Sequence, residues 1–403
     1  MNDILPGMEL TSLYLHIPFC KQRCAYCDFN TYAGLESMIP EYVAALCCEV
    51  EWSGFSTGGK LPVHTIYFGG GTPSLLPLGD VGKILQMIKD VFVLHLDCEI
   101  TLEANPGTLS REYLHGIRGL GINRLSIGMQ SAHTSELYLL GRIHTYYDVI
   151  NSVKWARAVG FENVNLDLIY GLPGQTLDDW QRSLELAIGL FPEHFSLYAL
   201  TLEEDVMMER WIQHGLLDGQ DADLAADMYE LAETKLKFAG YRSYEISNWA
   251  RYDGAGQLQA CQHNLQYWRG KPYLGIGAGA HGFSDHIRTI NVLQPQDYIK
   301  LMRESQPGKF TFPVTPATME HKAVSRSEEM GEYMMMGLRL TQEGVAETDF
   351  LERFGLSLEN KYGNKIERLI KLELLEWANR PTRRLRLTKR GRLLGNQVFL
   401  EFI

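Results

Sequence analysis

Hydrophobic positions in the first half of the chain follow two alternating rhythms. Apolar residues repeat every second position, or run unbroken, in short stretches at 11–17, 64–68, 98–102, 124–127, 164–170 and 195–200, and these predict six strands. Between them, apolar residues return every third or fourth position at 40–52, 80–92, from Ser110, across 134–159 and from Thr176, which predicts helices. Thr176 and Asp179 have the spacing of a capping box. Six strands alternating with helices imply right-handed βαβ crossovers and one parallel sheet. Six units are too few for a closed eight-fold barrel, so the expected fold class is α/β, a partial (β/α)6 barrel.

The second half reads differently. A helix at 222–239 is followed by two dense patches, Cys261-Gln262-His263-Asn264-Leu265-Gln266-Tyr267-Trp268 and Gly275-Ile276-Gly277-Ala278-Gly279-Ala280-His281. Proline and small polar residues at 306–318 read as a linker. The expected division is a barrel domain at 1–305, containing both patches, and a small, mainly helical, winged-helix-like domain at 306–403. In the latter, helices are predicted at 327–340, 348–353 and 358–372, and Met334-Met335-Met336 reads as core. A hairpin within 380–392 should precede a last helix capped by Thr388. That stretch carries seven Arg or Lys in thirteen residues, either a solvated face or a docking surface for an acidic partner or anionic membrane.

Polar residues recur at or near the predicted strand ends: Cys20, Thr72, Glu103 and Gln130. Barrels place their chemistry on that rim, so the recurrence outweighs the reading of each residue as a capped turn. Cys20, Cys24 and Cys27 lie within eight residues. Three thiolates so spaced can each bind a different iron of a cubane cluster and leave the fourth iron open. Structural zinc completed by His16, a redox CxxC, or three buried thiols are the alternatives. Tyr26, beside the last cysteine, suits an apolar lid over a cluster. Gly69-Gly70-Gly71-Thr72-Pro73 lets backbone approach a ligand closely, although a plain tight turn has the same composition. His263 could ligate a heme iron; a buried, hydrogen-bonded histidine has the same surroundings.

The chain has 403 residues, 45% hydrophobic and 22% charged, as in ordinary globular proteins. Its net charge of −11 argues against nucleic acid as main partner. No apolar run approaches the roughly twenty residues of a transmembrane helix, and residues 1–10 lack signal-peptide features. Seven cysteines, three of them clustered, suit a reducing compartment rather than a disulfide framework, so the expected location is cytoplasmic, with peripheral attachment at the inner face of a membrane as a variant.

CxxxCxxC with an aromatic before the last cysteine resembles the radical S-adenosyl-L-methionine (SAM) superfamily. Together with His263-Asn264-Leu265-Gln266-Tyr267-Trp268, an HNxxYW motif, nearly the whole chain resembles the branch that holds oxygen-independent coproporphyrinogen III dehydrogenases and the HemW-type heme chaperones. The resemblance implies that Cys20, Cys24 and Cys27 bind a 4Fe-4S cluster. It implies that Tyr14, Gly70, Gly71, Thr72, Glu103, Gln130, Arg142 and Asp167 hold SAM, and that His263, Asn264, Tyr267 and Trp268 are associated with heme. Phe29 stands where the dehydrogenase carries a fourth motif cysteine, and only thirteen residues precede Tyr14 where the dehydrogenase has a longer extension. Both features set coproporphyrinogen oxidation apart from this chain. The implied activity is heme delivery to acceptor hemoproteins, membrane respiratory enzymes among them, by a monomer or homodimer. The alternatives are the dehydrogenase itself or another radical SAM enzyme, such as a methyltransferase or cyclopropanase.

Overall fold

In the strand Thr11–Ile17, Leu13, Leu15 and Ile17 are fully buried on one face while Ser12, Tyr14 and His16 alternate with them on the other. The same alternation runs through the neighbouring strands. Their polar residues meet across the sheet: the Thr65 hydroxyl donates to Ser12, Asn165 Nδ2 donates to the Ser126 hydroxyl at 2.7 Å, and Ser126 donates to Asp167 at 3.0 Å. The sheet is therefore apolar on one face and hydrogen-bonded on the face that carries the site, a pairing that lets buried polar groups persist without a desolvation penalty.

The computed structural model describes residues 9–58, 61–204, 206–305, 310–379 and 382–403. Two compact units emerge: Met1–Lys235 with Pro272–Lys322, and Leu236–Lys271 with Ala323–Ile403. In the first, six strands stand side by side in chain order, Thr11–Ile17, Pro62–Gly70, Val93–Ala104, Arg124–Gln130, Asn163–Tyr170 and His194–Ala199, all parallel. Helices Ile39–Ser56, Leu78–Val91, Arg111–Leu120, Tyr146–Ala158 and Leu177–Ile188 connect them. Thr176 and Asp179 form the expected capping box. The sheet does not close among the described residues.

Its first edge is longer than the periodicity indicated. Tyr273–Ile276 pairs parallel with Thr11–Ile17, and His281–Ser284, Ile287–Asn291 and Thr318–Ala323 extend it beyond. The glycine-rich patch 275–281 is thus a strand, a turn and the next strand. The Cβ absent from Gly275 would lie 2.0 Å from the His281 carbonyl oxygen, which explains glycine there.

The division between units departs from the expected boundary. The HNxxYW segment, helix Gln262–Trp268, belongs with the C-terminal unit, because Leu265 and Trp268 pack with Tyr244, Ala250, Ala260 and Leu340. Part of the expected linker, 306–309, lies outside the described residues. Beyond it, Thr315 is buried in the first unit, donating to Glu49. In the second unit, helix Arg326–Gly337, strand Val345–Ala346, helices Glu347–Phe354 and Leu358–Lys371, and the hairpin Leu375–Ala378 with Arg384–Leu387 follow in the order of a winged helix. Met334 is fully buried in its core and Thr388 caps the helix that follows the hairpin.

Residues 380–381 of the basic stretch lie outside the described residues. Arg383 pairs with Glu347 and Glu359, Arg386 with Glu376 and Arg390 with Glu373, and Arg384 donates to the Glu343 carbonyl. Acidic partners on the same unit neutralise much of this stretch, which favours the solvated-face reading over a docking surface.

Candidate functional site

At the C-terminal ends of the parallel strands lies one open cavity of about 720 Å³, mouth included. Cys20, Cys24 and Cys27 line it together with Gly70, Gly71, Thr72, Glu103, Gln130, Arg142 and Asp167. The expected site residues, which run from Tyr14 to Trp268, do not all meet there. Tyr14 stands behind the lining and His263, Asn264, Tyr267 and Trp268 lie in the other unit.

The cysteine loop is held by its backbone. Tyr32 N–H donates to the Pro18 carbonyl at 2.7 Å, Ala25 N–H to Leu140 at 3.1 Å, and Met208 N–H to Ala25 at 2.9 Å. The following glycines pack directly on this loop. Gly71 N–H donates to Ile17 and Thr72 N–H to Phe19, both at 2.8 Å. A Cβ on Gly71 would lie 2.7 Å from the Phe19 carbonyl oxygen, and one on Gly70, whose φ is +109°, would lie 2.6 Å from the His16 ring. The glycine run therefore serves a close approach of chain to chain as well as forming cavity wall.

Each thiol has at least one polar neighbour. Thr72 Oγ1 donates to Cys20 Sγ at 3.5 Å, Arg142 Nη1 donates to Cys24 Sγ at 3.7 Å, and Cys27 Sγ is 3.7 Å from Thr31 Oγ1. Burial pushes the Cys20 and Cys27 thiols up from the ordinary thiol range. All three cysteines are free thiols, and among the described residues no three His, Cys, Asp or Glu side chains converge on a single-ion position. Tyr26 lines the cavity and packs with the apolar group of Ala25, Leu140 and Ile169.

Two carboxyls, Glu103 and Asp167, line the same cavity, with the Arg142 guanidinium beside Cys24. Glu103 accepts from the Tyr67 hydroxyl at 2.8 Å and from Gly70 N–H at 3.3 Å. Burial, and then the nearby Asp167, push Glu103 up to about 7. Burial also raises Asp167, which accepts from Ser126 and from Asn165 at 2.7 Å. Arg142 Nη2 donates to the Gly128 carbonyl at 2.9 Å, while its buried Nε makes no hydrogen bond. Gln130 is held at φ 63°, an unusual backbone for a non-glycine residue and a form of strain that concentrates at functional sites. A Cβ on Gly128 would lie 2.8 Å from Gln130 Nε2. Ser126 and Gly128 line the cavity as well; they stand two residues apart in a regular part of the strand, so alternation would have placed them on one wall.

In the second unit, His263 is 1% exposed and its Nε2 is 2.8 Å from the Tyr267 hydroxyl. The rings of the pair meet edge to face at 4.9 Å. The Arg339 guanidinium lies 4.4 Å from the Trp268 ring centroid, and Trp268 Nε1 is buried without a hydrogen bond. The buried-histidine reading describes His263 in this conformation.

Three free thiols, an arginine with a buried unpaired N–H and two neighbouring carboxyl groups at the rim of an open parallel sheet fit a radical SAM protein. The radical SAM superfamily model matches residues 14–187 and the HemN C-terminal domain model matches residues 324–394. The chain is 38% identical over 396 residues to heme chaperone HemW of Bacillus subtilis, covering 98% of this chain and 99% of that one. It is 37% identical over 399 residues to heme chaperone HemW of Mycobacterium tuberculosis, covering 98% and 95%. The chain belongs to the HemW family of radical SAM proteins. A mitochondrial radical S-adenosyl methionine domain-containing protein 1 of Bos taurus is 36% identical, covering 84% of this chain and 75% of that one. In fold, the chain resembles coproporphyrinogen III oxidase HemN of Escherichia coli, with a TM-score of 0.81 at 22% identity over 98% of this chain and 90% of that one. Among the described residues no helix is long and apolar enough to cross a membrane.

Proposed function

We propose that this protein is a heme chaperone: it binds heme and delivers it to acceptor hemoproteins, membrane respiratory enzymes among them, and its cavity holds a 4Fe-4S cluster and SAM. The observation that carries the reading is 38% identity, over 98% of this chain and 99% of the relative, to a protein named heme chaperone HemW, joined to a cavity lined by three free thiols, a guanidinium and two carboxyls.

The donor set fits the cofactors. Cys20, Cys24 and Cys27 would hold the cluster, since all three are free thiols lining one cavity at the spacing that suits three irons of a cubane. Hydrogen bonds from Thr72 and Arg142 to sulfur would stabilise extra electron density there and tune the potential. Arg142 suits the SAM carboxylate, Glu103 and Asp167 its ammonium or ribose hydroxyls, and Gly70, Gly71, Thr72 and Gln130 complete the wall. Tyr14 would act through His16, to whose Nδ1 its hydroxyl lies at 3.1 Å. When bound, the cluster and SAM together supply one-electron chemistry; the residues themselves bind, orient and shield.

Heme association is proposed for helix Gln262–Trp268. The unpaired Trp268 Nε1 is a donor that a ligand carboxylate could use, whereas iron ligation by His263 would first have to break its bond to Tyr267. Phe29 lines the cavity at the position of the dehydrogenase's fourth cysteine and has no group to bind iron, which counts against coproporphyrinogen oxidation. The test is transfer: heme-loaded protein is mixed with a heme-free b-type acceptor and the acceptor's spectrum followed. Recovery of the acceptor's heme spectrum supports the reading. Retention of heme by the donor under all redox conditions would sink it.

A further inference from the structure

Away from the cavity lining, segment 277–279 and its neighbours form a densely hydrogen-bonded buried cluster in the first unit. Glu49 is fully buried and its carboxylate accepts from Gly277 N–H, Asn291 Nδ2 and Thr315 Oγ1 at 2.8 Å and from the Tyr298 hydroxyl at 2.7 Å. The Tyr42 hydroxyl accepts from Ala278 N–H and donates to the His16 carbonyl, each at 2.8 Å. Four donors satisfy one carboxylate and a phenol bridges two segments of the chain, so this turn is a well-bonded platform.

Asn30, three residues past Cys27, docks on that platform. Its Nδ2 donates to the Ala278 carbonyl at 3.0 Å and to the Leu293 carbonyl at 2.9 Å, while its Oδ1 accepts from the Tyr32 hydroxyl at 2.9 Å. Its own carbonyl accepts from His16 Nε2 at 2.9 Å. A carbonyl can only accept, so Nε2 carries the hydrogen and Nδ1 accepts from the Tyr14 hydroxyl. The fit is tight: a Cβ on Gly279 would lie 2.3 Å from Asn30 Nδ2. No other side-chain type of this size offers two donors and one acceptor in this arrangement.

We propose that Asn30 is a positioning residue that fixes the outgoing limb of the cysteine loop, and with it Cys27, on the Glu49-supported turn 277–279. This rests on the proposed cluster site. Cys27 is the ligand nearest the loop's exit, and between it and Asn30 lie only the exposed Asp28 and Phe29, so the amide is the first fixed point after the sulfur. An unanchored limb would leave the cluster bound but its third thiolate variable in position.

The test compares wild type, Asn30→Ala, Asn30→Asp and Tyr32→Phe after anaerobic reconstitution, by iron content, by electron paramagnetic resonance of the reduced cluster, and by the rate of iron loss to a chelator. Thermal melts of the cluster-free proteins are run alongside. Wild type should take up about four irons, the number in one cubane. Asn30→Ala should release iron up to about tenfold faster, as expected for the loss of one part-buried and one exposed hydrogen bond, with broadened resonance lines. Asn30→Asp should be worse than alanine because its carboxylate faces two carbonyl oxygens. Tyr32→Phe, which keeps both amide donors, should lie close to wild type. If the Asn30 variants match wild type in lines and release rate, the positioning role is overturned while the cluster site stands. If wild type itself takes up no iron, the cluster site fails and the proposal fails with it. If Asn30→Asp does not fold, Asn30→Ala and Tyr32→Phe decide the outcome.

Discussion

Glu103 and Asp167 share one cavity wall, and their two carboxyl groups cannot both ionise cheaply. Burial, then the charge of Asp167, holds Glu103 at about 7 against an ordinary value of 4.5. A carboxyl raised in the folded state makes stability fall as pH climbs from the unfolded value through the folded one. Glu103→Gln removes that dependence. We expect the variant to melt close to wild type at pH 4.5 and to be more stable at pH 8, by up to about 2 kcal/mol, because the lost 3.3 Å bond from Gly70 offsets part of the gain. Melting curves at the two pH values check this.

The same carboxyl would make affinity for SAM, held as proposed, depend on pH. The ionised form is the one that pairs with an ammonium, so affinity should rise through about pH 7 in wild type and stay flat in Glu103→Gln. Calorimetric titration of the cluster-loaded protein between pH 6 and 8 distinguishes the two profiles.

Arg142 joins the sulfur side of the cavity to the strand ends, with one nitrogen on Cys24 Sγ and another on the Gly128 carbonyl. Arg142→Met keeps bulk and removes the charge-assisted bonds. The SAM dissociation constant should rise by about 10- to 100-fold, equivalent to roughly 1.5–3 kcal/mol, with iron content preserved.

Gly71→Ala tests the contact between the glycine run and the cysteine loop. Its new methyl would meet the Phe19 and Ile17 carbonyl oxygens at 2.7 and 2.9 Å, and backbone cannot swing aside as a side-chain tip can. We expect a cost of about 1–3 kcal/mol and poor cluster uptake. Iron content and a chemical melt report the two effects separately.

In the second unit, Glu245 is fully buried and leans on Arg339, which also covers Trp268. Arg339→Ala would leave that carboxylate without its cation. A loss of about 3 kcal/mol is expected, with a change in Trp fluorescence that marks loosening around Trp268.

Strand alternation made the six parallel strands legible because each has an apolar face and a hydrogen-bonded face, a pattern that periodicity reads directly. The cavity residues Thr72, Glu103 and Gln130 were legible for the same reason: strand ends in chain order share one rim. Tyr273–Ile276 was not, since a strand of YLGI followed at once by Gly277 carries no period long enough to count. Nor was the place of helix Gln262–Trp268 in the C-terminal unit, which depends on Leu265 and Trp268 meeting Leu340 across some seventy residues of chain. The buried pairing of His263 with Tyr267 spans one helical turn, a spacing equally suited to a ligand pair, so sequence could not separate the two.

The proposed function requires that this chain carry heme rather than make its precursor. Heme titration of the anaerobically reconstituted protein, followed by absorbance and paired with a coproporphyrinogen assay on the same sample, separates the two. We expect stoichiometric heme uptake, weakened in His263→Ala, with no protoporphyrinogen formed. Sustained turnover of coproporphyrinogen with no heme uptake would overturn the chaperone reading.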